Sequence, residues 1–356
     1  MLTSAAPYVK RRLSIASRRL GAADPVGSLG GLIDRSFALP LGDARYGENM
    51  LSPGGMPMEH SFTETAPGAL RLALEPLGPG ASPQSRQQES TREVRRLVHQ
   101  NFGRKALHWF DGRSEMWRGA GLDGASRFGA WFGAAFDGSG VQHAKVYYEL
   151  RGNQLESLPP NLRHAARVAM EGLPGLVPIF VSIACGRRTG QQRLYLYHRG
   201  PLRLLDLEPV MRQLGIGHQM PGVLSALGLI LGGRFTLPDG SVVIGLRDTR
   251  HGMEMKLEVL LPAFPDPPRQ MHGLMQMYLA QRPESQHAFR HWIQAMTPDD
   301  ANSPGAIEVV GVRVSPQLAP RLTVYFQPGG YEISQQPGPR PGEGSVDPYR
   351  LAIPAA

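Results

Sequence analysis

Apolar and polar residues alternate along many short stretches of this chain. In "HAKVYYEL" (143–150), Lys145, Tyr147 and Glu149 fall on one face of a predicted strand, and mainly apolar residues fall on the other. This follows because successive side chains of a strand point to opposite sides of the sheet. The pattern predicts a wall between a hydrophobic core and a polar space.

The same alternation recurs in pairs of strands joined by short turns such as "DGSG", and segments of helical period lie between the pairs. Local pairing through short turns disfavours a parallel barrel and favours antiparallel closure. We therefore predict an α+β fold, a closed antiparallel ten-stranded barrel with a polar lumen, surrounded by helices. A barrel of this size is wide enough to hold a ligand. The predicted hairpins span residues 56–76, 126–150, 177–198, 240–261 and 306–326.

The sequence predicts three regions along the chain. Residues 1–39 are expected to form a surface helix or a frayed arm, residues 40–328 the barrel domain, and residues 329–356 a Pro/Gly-rich tail. Ser90 and Glu93 resemble a capping box and predict a helix that begins there, after a polar loop.

Each second strand of the five hairpins begins with a cation. A tyrosine or a glutamate follows it at one or both of the next two alternate positions. The cations are Arg71, Lys145, Arg193, Lys256 and Arg321, and the tyrosines on the same face are Tyr147, Tyr195, Tyr197 and Tyr325. Cations inside a barrel are costly unless an anion meets them. That anion is either internal, namely Glu75, Glu149 and Glu258, or a ligand such as a diphosphate.

Composition narrows the possible partners. The 356 residues carry a formal charge of +8, with 41% hydrophobic and 19% charged residues, which is typical of a globular protein with an anionic partner. Because the clearest basic residues alternate inward, nucleic acid is disfavoured. The apolar runs are too short and too broken to span a membrane, and no signal peptide is evident. The single Cys185 suits the cytoplasm, and we expect a monomer or weak homodimer.

Other motifs are weak. His287 and His291 lie one helical turn apart, but no glutamate follows the first, so an exposed helix face is favoured over a zinc site. Trp131 is expected in the core, although its place on a first strand could turn it to the lumen. "TPDDANSP" is interpreted as a loop and not as a magnesium-binding aspartate motif, and no metal or other cofactor is expected.

On these residues the chain resembles the aromatic prenyltransferases of the dimethylallyltryptophan synthase type, which have the ABBA fold, from about residue 40 to 328. "MPMEHSF", "ALRLALEP" and the basic-x-Tyr strands carry the resemblance, and "PLGDARYGENMLSPGG" is similar to the lead-in of bacterial members. The resemblance implies transfer of a dimethylallyl group from its diphosphate to the indole ring of tryptophan or a related aromatic, without a metal.

The resemblance also implies roles for residues. Glu59 would accept the indole N–H and act in catalysis, whereas without the resemblance it would be a carboxylate paired with His60 or a nearby arginine. The five cations would hold the diphosphate, and the four tyrosines would bind it and shield the allyl cation.

Two positions depart from the pattern of these enzymes. Glu258 stands where a shielding tyrosine is common, and "SRFGAWFGAAF" lacks the lysine that some members use for attack at indole C4. Prenylation at C4 is therefore disfavoured. The alternative function is a barrel without catalytic activity that binds an anionic or prenylated small molecule.

Overall fold

The structure is a computed structural model and describes residues 4–52, 54–119, 122, 126–150 and 154–329. Its strands are β1 (Met58–Thr63), β2 (Leu70–Leu74), β3 (Ala130–Asp137), β4 (Gly140–Glu149), β5 (Leu176–Gly186), β6 (Gly190–His198), β7 (Leu202–Arg203), β8 (Thr236–Leu237), β9 (Val242–Thr249), β10 (Gly252–Leu260), β11 (Gly305–Val314) and β12 (Arg321–Pro328). Its helices are α1 (Ala6–Leu20), α2 (Val26–Ser36), α3 (Pro83–Gly119), α4 (Pro160–Gly172), α5 (Glu208–Gln213), α6 (Met220–Ile230), α7 (Met271–Leu279) and α8 (Pro283–Met296).

Ten of the strands form one closed antiparallel barrel, in the order β1-β12-β11-β10-β9-β6-β5-β4-β3-β2. The pairing of β1 with β12, in which Ser61 lies opposite Tyr325, closes the sheet. The predicted closed ten-stranded barrel and its five hairpins are therefore confirmed. The short strands β7 and β8 pair separately.

The outward face of the barrel is apolar and packs against the helices. Val146, Leu194 and Leu257 have no exposed surface, and each such side chain contributes about 2 kcal/mol when it is removed from water. Phe62 meets Phe289 of α8 edge to face, with ring centroids 5.0 Å apart. The hydrophobic core therefore lies between barrel and helices, which leaves the inner face free for polar side chains.

Helix α3 begins at Pro83, so the predicted capping box at Ser90 and Glu93 is wrong. The Ser82 hydroxyl accepts a hydrogen bond from the Ser85 N–H at 3.1 Å and takes the capping role, and proline suits the first helical position because it lacks an N–H. Ser90 is fully buried within α3 and donates to the Ala130 carbonyl of β3 at 3.2 Å. It fastens the helix to the barrel.

The N-terminal segment packs into the same core as the barrel. Val9 and Leu13 of α1 and Leu29 and Ile33 of α2 are at most 1% exposed, so these helices are no frayed arm. No helix within the described ranges is long and apolar enough to cross a membrane. The predicted tail from residue 330 onward lies outside the described residues.

Candidate active site in the barrel lumen

Three first strands place a glycine on the lumen face, opposite a long side chain of the neighbouring strand: Gly133, Gly245 and Gly311. A Cβ added at Gly245 would lie 3.0 Å from Cδ of Arg193, and one at Gly311 would lie 2.9 Å from Cε of Lys256. Glycine at these positions leaves room for the long cationic side chains of the neighbouring strand. The lumen can therefore hold several long cationic side chains side by side.

Strand registers place the predicted cations on the inner face. Lys145 lies opposite Ala184 on β5 and Gly133 on β3, and Lys256 lies opposite Gly245 and Arg313. The remaining predicted cations, Arg71, Arg193 and Arg321, follow the same alternation. Arg321 lies at the barrel rim, where its guanidinium is 3.4 Å from Glu64.

Some of these cations are neutralised inside the barrel. Lys256 donates to the Glu258 carboxylate at 2.5 Å, and the Tyr325 hydroxyl donates to the same oxygen at 2.8 Å. Burial opposes the ionisation of Glu258, but Lys256, the Tyr325 hydroxyl and Arg193 together outweigh it, so the pKa of Glu258 lies below its ordinary value. Burial lowers the pKa of Lys256 to about 8. The internal-anion alternative is thus correct for Glu258.

Glu75 also forms an internal ion pair, but with Arg86 of α3 and not with one of the five predicted cations. Glu75 accepts backbone N–H groups of residues 50–51, both at 2.7 Å, and pairs with Arg86 at 3.0 Å. Glu149 accepts the backbone N–H groups of residues 127–129 at 2.8 to 3.2 Å. Both carboxylates fix loops at one end of the barrel, because buried backbone donors need acceptors.

Glu254, which the sequence analysis missed, performs much of the internal pairing. It is 3% exposed, accepts hydrogen bonds from Arg193 of β6 and Arg247 of β9, and forms an ion pair with Arg313 of β11. Glu254, Arg247 and Arg313 share the inward alternation of Lys256, Gly245 and Gly311, and that register was the available signal. His143, two residues before Lys145, also lies on the lumen face, and the sequence analysis did not single it out.

Lys145 and Arg71 have no carboxylate partner in the parts of the chain that the structure describes. The ammonium of Lys145 lies 4.3 Å from the ring centroid of Tyr147, and Nε of Arg71 is 3.4 Å from the Ser61 hydroxyl. Burial and the neighbouring cations Arg71, Arg193 and Lys256 lower the pKa of Lys145 well below its ordinary value. This side of the lumen would be stabilised by an anion.

One end of the lumen is aromatic. Phe128 and Trp131 stack with ring centroids 3.9 Å apart, and Phe180 lies 4.4 Å from Tyr195. Trp131 therefore faces the lumen. Tyr195 and Tyr197 both lie in this apolar cluster, and Tyr147, whose ring centroid is 6.0 Å from that of Tyr195, packs against it. Tyr325 lies beside Lys256.

Glu59 is half-buried on the lumen face of β1 and makes no hydrogen bond or ion pair within the described ranges. The expected alternative, a pair with His60 or an arginine, is therefore not found. His60 points to the opposite face, where burial lowers its pKa to about 3. Burial and the nearby carboxyls of Glu308 and Glu258 raise the pKa of Glu59 well above its ordinary value.

Glu308 is a second carboxyl near Glu59 that sequence reasoning missed. It lies at a β-bulge between Ile307 and Val309, is 6% exposed, and accepts from the Ser52 hydroxyl at 3.2 Å. Burial raises its pKa to about 8. A glutamate on the apolar alternation of "AIEVVGVRV" was the available signal, since a bulge redirects a side chain that would clash with the core.

Several solved structures have the same barrel fold as this chain. The chain superimposes on 5-dimethylallyl tryptophan synthase from Streptomyces coelicolor, solved in complex with DMASPP and Trp, with a TM-score of 0.67 and 17% identity over 95% of this chain and 98% of that one. For 6-dimethylallyltryptophan synthase from Micromonospora olivasterospora, also in complex with DMASPP and Trp, the TM-score is 0.70, with 18% identity over 93% and 99%. The chain has the fold of these synthases.

A more distant likeness is to AnaPT from Neosartorya fischeri, with a TM-score of 0.57 and 16% identity over 80% of this chain and 81% of that one. No protein-family profile matches the sequence, and no curated protein matches it significantly. The resemblance noted in the sequence is confirmed at the level of the fold.

Proposed function

We propose that the protein is an aromatic prenyltransferase that moves a dimethylallyl group from dimethylallyl diphosphate to the indole ring of tryptophan or a related aromatic. The observation that carries this proposal is the pair Lys145 and Arg71, half-buried cations without a carboxylate partner among the described residues, next to the tyrosine rings of the lumen. The crystallised proteins of the same fold were solved with DMASPP and Trp, which supports the choice of both ligands.

The first step of the proposed reaction breaks the C–O bond between the dimethylallyl group and the diphosphate. The electron pair leaves with the diphosphate, whose growing charge Lys145, Arg71 and Arg193 would stabilise as pre-oriented donors. The faces of Tyr147 and Tyr195 would stabilise the allyl cation, at about 0.5 to 2 kcal/mol for each ring.

The second step joins the cation to the ring. An electron pair of the indole forms the new C–C bond, and the ring carbon then loses its proton. Glu59 would accept the indole N–H, which enriches the ring, and its raised pKa suits a group that takes up a proton directly or through water. The bound N–H and the adjacent allyl cation would both favour the ionised form of Glu59.

The reaction as proposed needs no metal, because side-chain cations take the charge of the leaving group. Attack at indole C4 is disfavoured, since β3 carries no lysine. We expect transfer to continue at an undiminished rate after dialysis against EDTA, and a requirement for added magnesium would contradict this part of the proposal.

Mass spectrometry after incubation with dimethylallyl diphosphate and tryptophan tests the function. The expected product is tryptophan plus one C5H8 unit, with release of diphosphate. A panel of indoles and phenols extends the test to other acceptors. Saturable binding of the diphosphate with no prenylated product from any acceptor would instead support the binding protein without catalytic activity.

A further inference from the structure

The lumen contains one carboxylate shared by three arginines. One oxygen of Glu254 accepts a hydrogen bond from Arg193. The other accepts one from Arg247 and forms an ion pair with Nε of Arg313 at 3.2 Å. These residues come from four strands that are neighbours in the barrel, β6, β9, β10 and β11. We name the four residues the Glu254 cluster.

The Glu254 cluster is not neutral. One carboxylate faces three guanidinium groups, so two positive charges remain uncompensated within it. The Glu254 side chain is 3% exposed, whereas those of Arg193, Arg247 and Arg313 are 14%, 13% and 27% exposed. The carboxylate is thus more enclosed than the arginines, whose side chains stay partly accessible to a ligand.

The Glu254 cluster adjoins the cations already assigned to the diphosphate. Arg313 lies opposite Lys256 in the β10 and β11 register. Arg193 lies on β6 opposite Ser182 of β5, which in turn lies opposite Tyr147, two residues after Lys145 on β4. The cluster therefore forms the wall of the lumen next to Lys145 and Lys256.

We propose that Glu254 is a positioning residue of the diphosphate site and that Arg247 and Arg313 are further donors of that site. The inference rests on the proposed function in taking a diphosphate as the ligand. The carboxylate reduces the repulsion between three guanidinium groups and fixes their planes. An arriving diphosphate then meets donors that are already oriented.

The proposal predicts that Glu254→Gln changes the affinity for diphosphate in the direction opposite to that expected from the change in charge alone. Glu254→Gln removes a negative charge from an anion site, which by Coulomb's law alone would strengthen the binding of an anion. If Glu254 positions the arginines, the same change weakens binding because the guanidinium groups separate. A purely structural carboxylate would change neither the affinity for diphosphate nor the KM for the donor.

Calorimetric titration of the full chain with inorganic diphosphate separates these outcomes. We expect Glu254→Gln to weaken diphosphate binding about 10- to 100-fold, the value of a lost charge-assisted contact. Asp137→Asn is the matched control, since Asp137 pairs with Arg187 outside the lumen at 2.7 Å, and its diphosphate affinity should match that of the wild type. Unchanged or tighter binding by a folded Glu254→Gln variant would overturn the proposal.

If Glu254→Gln does not fold, the same titration of Arg313→Gln tests the proposal. Arg313 is the most exposed arginine of the cluster, and its loss leaves Glu254 with two partners. We expect about 10-fold weaker diphosphate binding for Arg313→Gln and partial recovery for Arg313→Lys, which keeps the charge but not the planar fork. Wild-type affinity in Arg313→Gln would contradict the role of Arg313 as a donor.

The titration also distinguishes this inference from the proposed function. Diphosphate binding that depends on Glu254, in a protein that prenylates nothing, would support the inference and count against the function. Prenyl transfer with equal donor KM in the wild type and in Glu254→Gln would support the proposed function and count against the inference. A wild-type protein that does not bind inorganic diphosphate would overturn the inference.

Discussion

Lys145 and Lys256 occupy the same position in their hairpins, and each ammonium lies over a tyrosine ring, at 4.3 Å from Tyr147 and 4.4 Å from Tyr325. They differ in one respect. Lys256 has Glu258 two residues later as a partner, whereas Lys145 has no carboxylate among the described residues. One side of the lumen is therefore internally paired, and the other side is open to an anion.

This difference shows that the two explanations for a basic lumen apply to different sides of one barrel. On the paired side, Glu254 and Glu258 hold cations in place before a ligand arrives. On the open side, burial and the neighbouring cations lower the pKa of Lys145, so the proposed diphosphate would gain most by binding there. A site that combines fixed donors with unpaired ones binds anions without collapsing in their absence.

The largest expected effect is on folding stability. Lys256→Met leaves the buried Glu258 without its cation, and we expect a loss of about 3 to 5 kcal/mol in the free energy of unfolding. Lys145→Met removes a cation that has no anionic partner, so stability should be unchanged or higher. Urea denaturation of both variants makes the comparison, and equal losses would show that the two sides do not differ.

A substitution of Glu308 tests whether the lumen also holds a carboxyl group that no cation neutralises. Its pKa is about 8 in the folded protein, against an ordinary value of 4.5, so the folded state holds the proton that the unfolded state has lost. Wild-type stability should therefore fall as pH rises from 5 to 8. Relative to the wild type, Glu308→Gln should gain about 3 kcal/mol over this range.

Urea denaturation at both pH values measures the Glu308 effect. Glu208→Gln is a suitable control because Glu208 is exposed and pairs with Arg212 on the surface. Parallel pH profiles for the wild type and Glu308→Gln would mean that Glu308 is ionised in the folded protein.

Ligand affinity should depend most on the open side. We expect Lys145→Ala or Arg71→Ala to weaken the binding of dimethylallyl diphosphate about 100-fold and that of tryptophan only a few-fold. Calorimetric titration of each variant with each ligand measures both affinities. Equal losses for both ligands would argue against an open side.

The smallest expected effect is on turnover. Glu59→Gln keeps the size of the side chain but removes its ability to ionise, and we expect kcat to fall about 10- to 30-fold with unchanged diphosphate affinity. Steady-state kinetics with tryptophan, together with the diphosphate titration, separates the two quantities. An unchanged kcat would remove Glu59 from the proposed mechanism.

The barrel and the inward cations could be predicted because alternation along a strand is a local property. The Glu254 cluster could not, since Arg193 and Arg247 become neighbours only through the pairing of β6 with β9, which the sequence does not reveal. Glu308 escaped for another reason, namely that a bulge shifts the register by one residue. The start of α3 was misplaced because Ser82 and Pro83 supply a stronger helix start than Ser90.

The glycines of the first strands have a consequence for how such a barrel can diversify. Gly133, Gly245 and Gly311 limit the width of the lumen, whereas its charge comes largely from the second strands. An alanine or serine at one of these glycines would narrow the chamber and would also press on Lys145, Arg193 or Lys256 of the neighbouring strand. Chamber width and the ionic layer are thus coupled, so a barrel of this design diversifies most freely at lumen positions that do not face a cation.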